Sequence, residues 1–119
     1  MSRILVVDDE QLVRDLTVQV LERSGHDVVS AGDAKGVLEL LERELVDLVV
    51  SDVVMPGLTG VELLNVLRNR HPDLPVVLMT GGSSEPERTT RALELGADGI
   101  VYKPYSHSDL IDAVRAALA

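Results

Sequence analysis

The chain lacks cysteine, tryptophan and phenylalanine, and two tyrosines are the only aromatic residues among its 119. Without cysteine, neither a disulfide framework nor a thiolate metal site can form. So few aromatic rings argue against a surface that stacks nucleic-acid bases. A chain without cysteine suits the reducing environment of the cytoplasm, which is where we expect it to act.

Positive charge is also scarce, because 11 Lys and Arg stand against 20 Asp and Glu, giving a formal net charge of −9. This charge disfavours direct binding to nucleic acid or to an anionic membrane. No apolar run approaches the roughly 18 residues of a membrane span. Two carboxylates end the first apolar run too early for a signal peptide. The sequence therefore predicts one domain over residues 1–119.

Short apolar runs alternate with amphipathic stretches along the chain. Five of the runs are rich in valine and isoleucine without strict polar alternation, which is typical of strands covered on both faces. These predicted strands are Ile4–Val7, Asp27–Ser30, Leu48–Ser51, Val76–Thr80 and Ile100–Tyr102.

An amphipathic stretch follows each strand and predicts a helix. In the first helix, Val13, Leu16 and Val20 share an apolar stripe. Helix ends carry local signals, namely capping-box sequences that begin at Thr59, Ser84 and Ser106, and helix-ending glycines at 25 and 96. The order βαβαβαβαβα predicts a doubly wound parallel sheet with helices on both faces, for which the strand order 2-1-3-4-5 is common.

Residues with reactive or hydrogen-bonding groups end or follow four of the predicted strands. They are Asp8 and Asp9 after strand one, Asp52 after strand three, Thr80 and Gly81 at the end of strand four, and Lys103 after strand five. In such a sheet the carboxyl ends of the strands share one edge, where ligands bind. Three carboxylates in one crevice repel each other, and Mg²⁺ relieves that repulsion. With an ammonium and a hydroxyl, the set suits a phosphoryl group.

The nucleophile has to be chosen among the three aspartates. Asp8 and Asp9 are adjacent, so their side chains point apart on an extended chain, and one can bind a metal directly while the other acts through water. Asp52 is then the better candidate for attack, forming an acyl phosphate. A simpler interpretation of Asp8 and Asp9 is that they cap the first helix.

These residues are part of a wider pattern that resembles the receiver domain of two-component response regulators over essentially the full chain. The matching segments are Val6-Val7-Asp8-Asp9-Glu10, Ser51-Asp52-Val53-Val54-Met55-Pro56-Gly57 with Gly60, Thr80-Gly81, and Lys103-Pro104-Tyr105. The resemblance implies the flavodoxin-like (βα)5 receiver fold, with a five-stranded parallel sheet in the order 2-1-3-4-5. It also implies a cytoplasmic signalling phosphoprotein that catalyses only its own phosphorylation and dephosphorylation, and is not otherwise an enzyme.

The resemblance also implies how the site would work. Asp52 would be the phosphoacceptor. Mg²⁺ would be held directly by Asp9, Asp52 and the backbone carbonyl of Val54, and through water by Asp8.

Further residues are expected to contact the phosphoryl group. Lys103 would pair with its oxygens, while the Thr80 hydroxyl and the Gly81 backbone N–H would donate to it. The donor would be a phosphohistidine on a histidine kinase or a histidine phosphotransfer protein. The switched surface would comprise the predicted fourth helix, the fifth strand and the fifth helix, with Tyr105 near it, and would act on a downstream protein or on an output domain absent from this chain.

Two positions depart from the usual family pattern. Ile100 stands where most receivers have a tyrosine or phenylalanine, so we expect coupling through Ile100 or Tyr102 without the usual aromatic rotation. Val54 and Gly82 flank the site where other members often carry polar side chains. Neither can orient an attacking water, and we expect slow loss of the phosphoryl group.

Two other functions stay open from the sequence. One is a receiver-like protein-binding module that is not regulated by phosphorylation. The other is a Mg²⁺-dependent phosphohydrolase of the haloacid dehalogenase type, whose Asp-x-Asp spacing differs from the adjacent Asp8 and Asp9.

Overall fold

The computed structural model describes residues 2–52, 60–80, 96–102 and 106–119. The strands are β1 (Arg3–Val7), β2 (Asp27–Ala31), β3 (Leu48–Asp52), β4 (Val76–Thr80) and β5 (Gly99–Tyr102). The helices are α1 (Gln11–Arg23), α2 (Ala34–Arg43), α3 (Gly60–Arg70) and α4 (His107–Leu118). The helix predicted to start at Ser84 lies outside these residues, so α4 is the last of the five predicted helices. In the described ranges, no helix has the length and apolar character needed to cross a bilayer.

All five strands pair in parallel in the order β2-β1-β3-β4-β5, which confirms the predicted topology. The register aligns their carboxyl ends: Val7 pairs with Ser51, and Asp52 pairs with Met79. The residues that follow β1 and end β3 therefore lie at the same edge of the sheet, on neighbouring strands.

Alternate residues of the buried strands supply two apolar layers. In β1, Leu5 and Val7 pack on the face covered by α2 and α3, whereas Ile4 and Val6 pack on the face covered by α1 and α4. Burial of both faces explains why the inner strands β1, β3 and β4 consist largely of valine, isoleucine and leucine. The central strand β3 is buried along its whole length, including its two polar residues.

The apolar stripe predicted for α1 is wrong in one member. Leu16 is 54% exposed, and the buried face of the helix is instead formed by Thr17, Val20 and Leu21. Thr17 is 2% exposed and its hydroxyl donates to the carbonyl of Val13 at 2.9 Å, so a polar side chain replaces the expected leucine without an unsatisfied hydroxyl.

The helix ends follow local chemistry. Gly25 and Gly96 have positive φ angles of 94° and 89°, as the sequence predicts for residues that leave a helix. Ser106 and Asp109 form the predicted capping box at the start of α4, and Asp33 caps α2. Thr59 lies outside the described residues. Helix α1 differs, because its N-terminal residue Glu10 makes no side-chain cap bond.

Candidate functional site

Asp8 is held rigidly just beyond the end of β1. Its side chain is fully buried, and its backbone N–H donates to the carbonyl of Ala31 at 3.3 Å. Its Oδ1 accepts the backbone N–H of Glu10 at 3.0 Å, which closes a tight turn into α1. Asp8 therefore does not serve as the N-cap of α1, and the simpler interpretation from the sequence does not hold for it.

Asp9 and Asp52 differ in exposure. Asp9 lies in the same turn and is exposed to solvent. Asp52 is the last residue of β3 and is only 7% exposed. The Ser51 hydroxyl donates to the Asp52 carbonyl at 3.0 Å, so the backbone at this strand end is tied down by a buried side chain.

These three aspartates form one acidic cluster. A carboxylate oxygen from each of Asp8, Asp9 and Asp52 lies within 4.8 Å of the others. Like charges at such a distance destabilise each other, and more so where two of the three groups are buried. Carboxylate oxygens are the ligands that Mg²⁺ prefers. The donor set therefore fits a hard divalent cation, and the predicted grouping of the three carboxylates is found in the structure.

The other predicted site residues are described less completely. The backbone of Thr80 ends β4 and pairs with Tyr102 in β5, at the same sheet edge as the acidic cluster. The side chain of Thr80 and the residues Val54, Gly81, Lys103 and Tyr105 lie outside the described part of the structure, so their predicted roles stay predictions.

Ile100 and Tyr102 occupy different environments on β5. Ile100 is partly buried and packs against the apolar layer under α2 and α3, whereas Val101 belongs to the opposite layer. Tyr102, two residues on, is 53% exposed. The position where the resemblance implies an aromatic ring is thus filled by a partly buried aliphatic side chain, and the nearby ring of Tyr102 is about half exposed.

Sequence reasoning missed two residues beside the cluster. The guanidinium of Arg14, on the first turns of α1, donates to the backbone carbonyl of Asp8 at 2.7 Å. Gly32 follows β2 and lies directly against that guanidinium. The available signals were an arginine one turn into the helix after the aspartates, and a glycine at a strand end. Neither signal is distinctive by itself.

Comparison with known proteins identifies the family. The sequence model described as the response regulator receiver domain matches residues 4–115. The chain belongs to the response regulator receiver domain family. Receiver domains are signalling modules of two-component systems, and the predicted family is confirmed.

Curated relatives of this receiver domain include transcriptional regulatory proteins of two bacteria. The alkaline phosphatase synthesis transcriptional regulatory protein PhoP of Bacillus subtilis is 40% identical over 98% of this chain and 48% of its own length. The transcriptional regulatory protein CpxR of Escherichia coli is 38% identical over 99% of this chain and 50% of its own length. The chain spans about half the length of these relatives.

Solved receiver structures agree with the fold. The receiver domain of NtrX from Brucella abortus superposes with a TM-score of 0.91 at 36% identity, covering 97% of both chains. A CheY-like receiver domain protein from Methanospirillum hungatei gives 0.91 at 33% identity, over 99% of this chain and 94% of that one. The receiver fold predicted from the sequence is therefore confirmed.

Proposed function

We propose that this receiver domain accepts a phosphoryl group on Asp52 from a phosphohistidine of a histidine kinase or a phosphotransfer protein, in the presence of Mg²⁺. The observation that carries the proposal is the convergence of Asp8, Asp9 and Asp52 to within 4.8 Å at the carboxyl edge of the sheet. An acidic crevice of this kind can hold a cation, and a cation makes the approach of an anionic phosphoryl group to a carboxylate feasible.

Asp52 is the acceptor in this proposal because the alternatives are less suited to attack. Asp8 is fully buried and one of its oxygens already accepts the Glu10 N–H, while Asp9 is exposed and free to turn toward a metal. In the transfer, a carboxylate oxygen of Asp52 attacks phosphorus. The new O–P bond forms as the N–P bond of the phosphohistidine breaks, and the imidazole takes the electron pair and leaves.

The other residues of the proposed site bind and neutralise. Mg²⁺, when bound, would offset the negative charge of the phosphoryl oxygens. Asp9 and Asp52 would hold it directly, together with the Val54 carbonyl, and Asp8 would orient a bound water. The contacts to the phosphoryl oxygens would come from the three remaining predicted residues, which are Lys103, Thr80 and Gly81.

The proposed output is a change in the surface formed by β5, α4 and the predicted helix that connects β4 to β5. Tyr102 is exposed on β5, and Tyr105 follows it in sequence. Because the relatives named above are transcriptional regulators about twice as long, we propose that residues 1–119 act as a receiver unit on an output domain or a separate protein. A cytoplasmic location is part of the same proposal.

Intact mass spectrometry after incubation with acetyl phosphate and Mg²⁺ tests the proposal. Wild type should gain the mass of one phosphoryl group, and the addition should be lost in Asp52→Asn and after treatment with EDTA. Asp112→Asn, an exposed aspartate on α4, is the matched control and should be modified as wild type is.

Other outcomes would favour the competing functions. A folded wild-type protein that never gains the phosphoryl mass would favour a binding module that is not phosphorylated. Multiple turnover of unrelated phosphate esters, abolished by Asp52→Asn, would favour a phosphohydrolase. Either outcome would overturn the proposal.

A further inference from the structure

Arg14 closes the turn that carries two members of the acidic cluster. Its backbone N–H donates to the Glu10 carbonyl at 2.9 Å, and its side-chain Nη1 donates to the Asp8 carbonyl at 2.7 Å. A hydrogen bond from a charged donor is stronger than one between neutral groups. One residue of α1 therefore donates to the carbonyls at both ends of the Asp8–Glu10 turn.

The Arg14 guanidinium binds the backbone and not the carboxylates of the acidic cluster. Among the described residues it forms no ion pair, and its guanidinium donates to a neutral carbonyl oxygen. A guanidinium that paired with Asp8 or Asp9 would compete with a metal ion for the same oxygens. By binding the peptide group instead, Arg14 fixes the backbone from which both side chains project and does not itself occupy their carboxylate oxygens.

Gly32 makes room for this arrangement. A Cβ at this position would lie 2.8 Å from Nη1 of Arg14 and 3.7 Å from Cζ, whereas the Asp8 carbonyl oxygen would be 4.0 Å away. The φ angle of Gly32 is not positive, since only Gly25 and Gly96 have positive φ in the described part of the chain. An alanine would therefore fit the backbone of Gly32 and would displace mainly the arginine side chain.

We propose that Arg14, seated against Gly32, is a positioning residue for the cation site: it fixes the peptide group between Asp8 and Asp9 so that the acidic cluster is arranged before the metal binds. The inference rests on the proposed function, because it takes the cluster to be the Mg²⁺ site. Groups behind metal ligands hold those ligands in orientation, and their removal typically weakens metal affinity by about 10- to 100-fold.

Whether Mg²⁺ affinity falls or rises when Arg14 is replaced distinguishes a positioning role from an effect of its positive charge. If Arg14 acted only through its positive charge, its removal would make the site more negative and Mg²⁺ would bind more tightly. If it acts by holding the turn, Arg14→Met should bind Mg²⁺ about tenfold more weakly despite the lost positive charge. The matched control is Arg23→Met, which removes the same charge at an exposed position in the last turn of α1 and should not weaken binding.

Calorimetric titration of the unphosphorylated protein with MgCl₂ measures this affinity directly, and far-UV circular dichroism verifies that each variant is folded. Gly32→Ala should weaken binding in the wild-type background and should have no further effect in Arg14→Met, since the residue it displaces is gone. Amide exchange gives a second measurement: without metal, the Glu10 N–H that donates to Asp8 should exchange faster in Arg14→Met than in Arg23→Met.

The outcomes are distinguishable. Wild type that binds Mg²⁺ and an Arg14→Met variant that binds it as well or better would overturn the positioning role and leave the proposed function intact. A Gly32→Ala effect of equal size in both backgrounds would overturn the coupling of Gly32 to Arg14. Wild type that does not bind Mg²⁺ at all would overturn the proposed function and this inference together.

Discussion

Arg68 on α3 and Asp98, just ahead of β5, form an ion pair in which Nη2 lies 2.7 Å from Oδ2. The same carboxylate oxygen accepts the backbone N–H of Val76 at 2.8 Å. Arg68 also donates to the carbonyls of Gly96 and Leu74. One guanidinium therefore joins α3, the start of β4 and the segment that enters β5.

We expect Arg68→Met to lower the free energy of unfolding by about 2 kcal/mol, because the Arg68 side chain, which is 19% exposed, is the charged donor shared by several acceptors on three segments. Urea denaturation followed by circular dichroism at 222 nm measures the loss. The matched control, Arg70→Met, changes an exposed arginine two residues along the same helix and should stay within about 0.5 kcal/mol of wild type. Equal losses in the two variants would contradict this assignment.

The strands could be predicted to within one residue at either end because sheet burial on both faces leaves an uninterrupted apolar signature, as in Leu48–Val50. The convergence of Asp8, Asp9 and Asp52 followed from topology, since parallel strands end at one edge. Bonds such as Arg68–Asp98 and Arg14–Asp8 could not be predicted in the same way. They join residues by side-chain reach, which leaves no periodic pattern in the sequence.

The exposure of Leu16 shows a second limit of prediction from the sequence. A helical stripe fixes which residues share a face, but it does not fix how the helix is rotated against the sheet. Helix α1 turns so that Thr17 and Leu21 are buried and Leu16 is exposed. The hydrogen bond from the Thr17 hydroxyl to the Val13 carbonyl allows that side chain to be buried. The apolar pattern of the sequence does not indicate this hydrogen bond.

The capping box of α4 should contribute measurably to stability. The Ser106 hydroxyl accepts the Asp109 N–H at 3.1 Å, and the Asp109 carboxylate accepts the Ser106 N–H at 3.2 Å. Ser106→Ala removes one of these bonds and should cost about 1 kcal/mol in chemical denaturation. His107→Ala changes the exposed first residue of the same helix, where alanine is the better helix former, and should be neutral or slightly stabilising. The reverse ranking of the two variants would argue against the cap.

Gly25 should be costly to replace for a purely backbone reason. Its φ is 94°, and a Cβ at this position would meet no atom within 4 Å. Gly25→Ala should therefore destabilise the fold by about 1 kcal/mol through left-handed strain alone. Gly25→Asn adds a larger side chain but tolerates this conformation better, so it should lose less stability. Thermal unfolding of the pair tests this, and a greater loss for asparagine would point to crowding rather than strain.

Asp9→Asn should reverse its effect on stability when Mg²⁺ is added. In EDTA and low salt, it removes one of three charges that lie within 4.8 Å of each other, and the relief of repulsion should raise the free energy of unfolding by about 1 kcal/mol. Wild type should then gain stability with rising MgCl₂, because a ligand that binds only the folded state stabilises it, whereas the variant has lost a proposed ligand and should gain little. The variant should therefore have the higher melting temperature in EDTA, and wild type should have the higher one at saturating MgCl₂.

Asp15→Asn, which changes an exposed aspartate on α1, serves as the control and should follow wild type throughout. A variant less stable than wild type in EDTA would contradict this prediction. It would mean that the three carboxylates do not repel one another in the folded protein, so that a cation would have no repulsion to relieve.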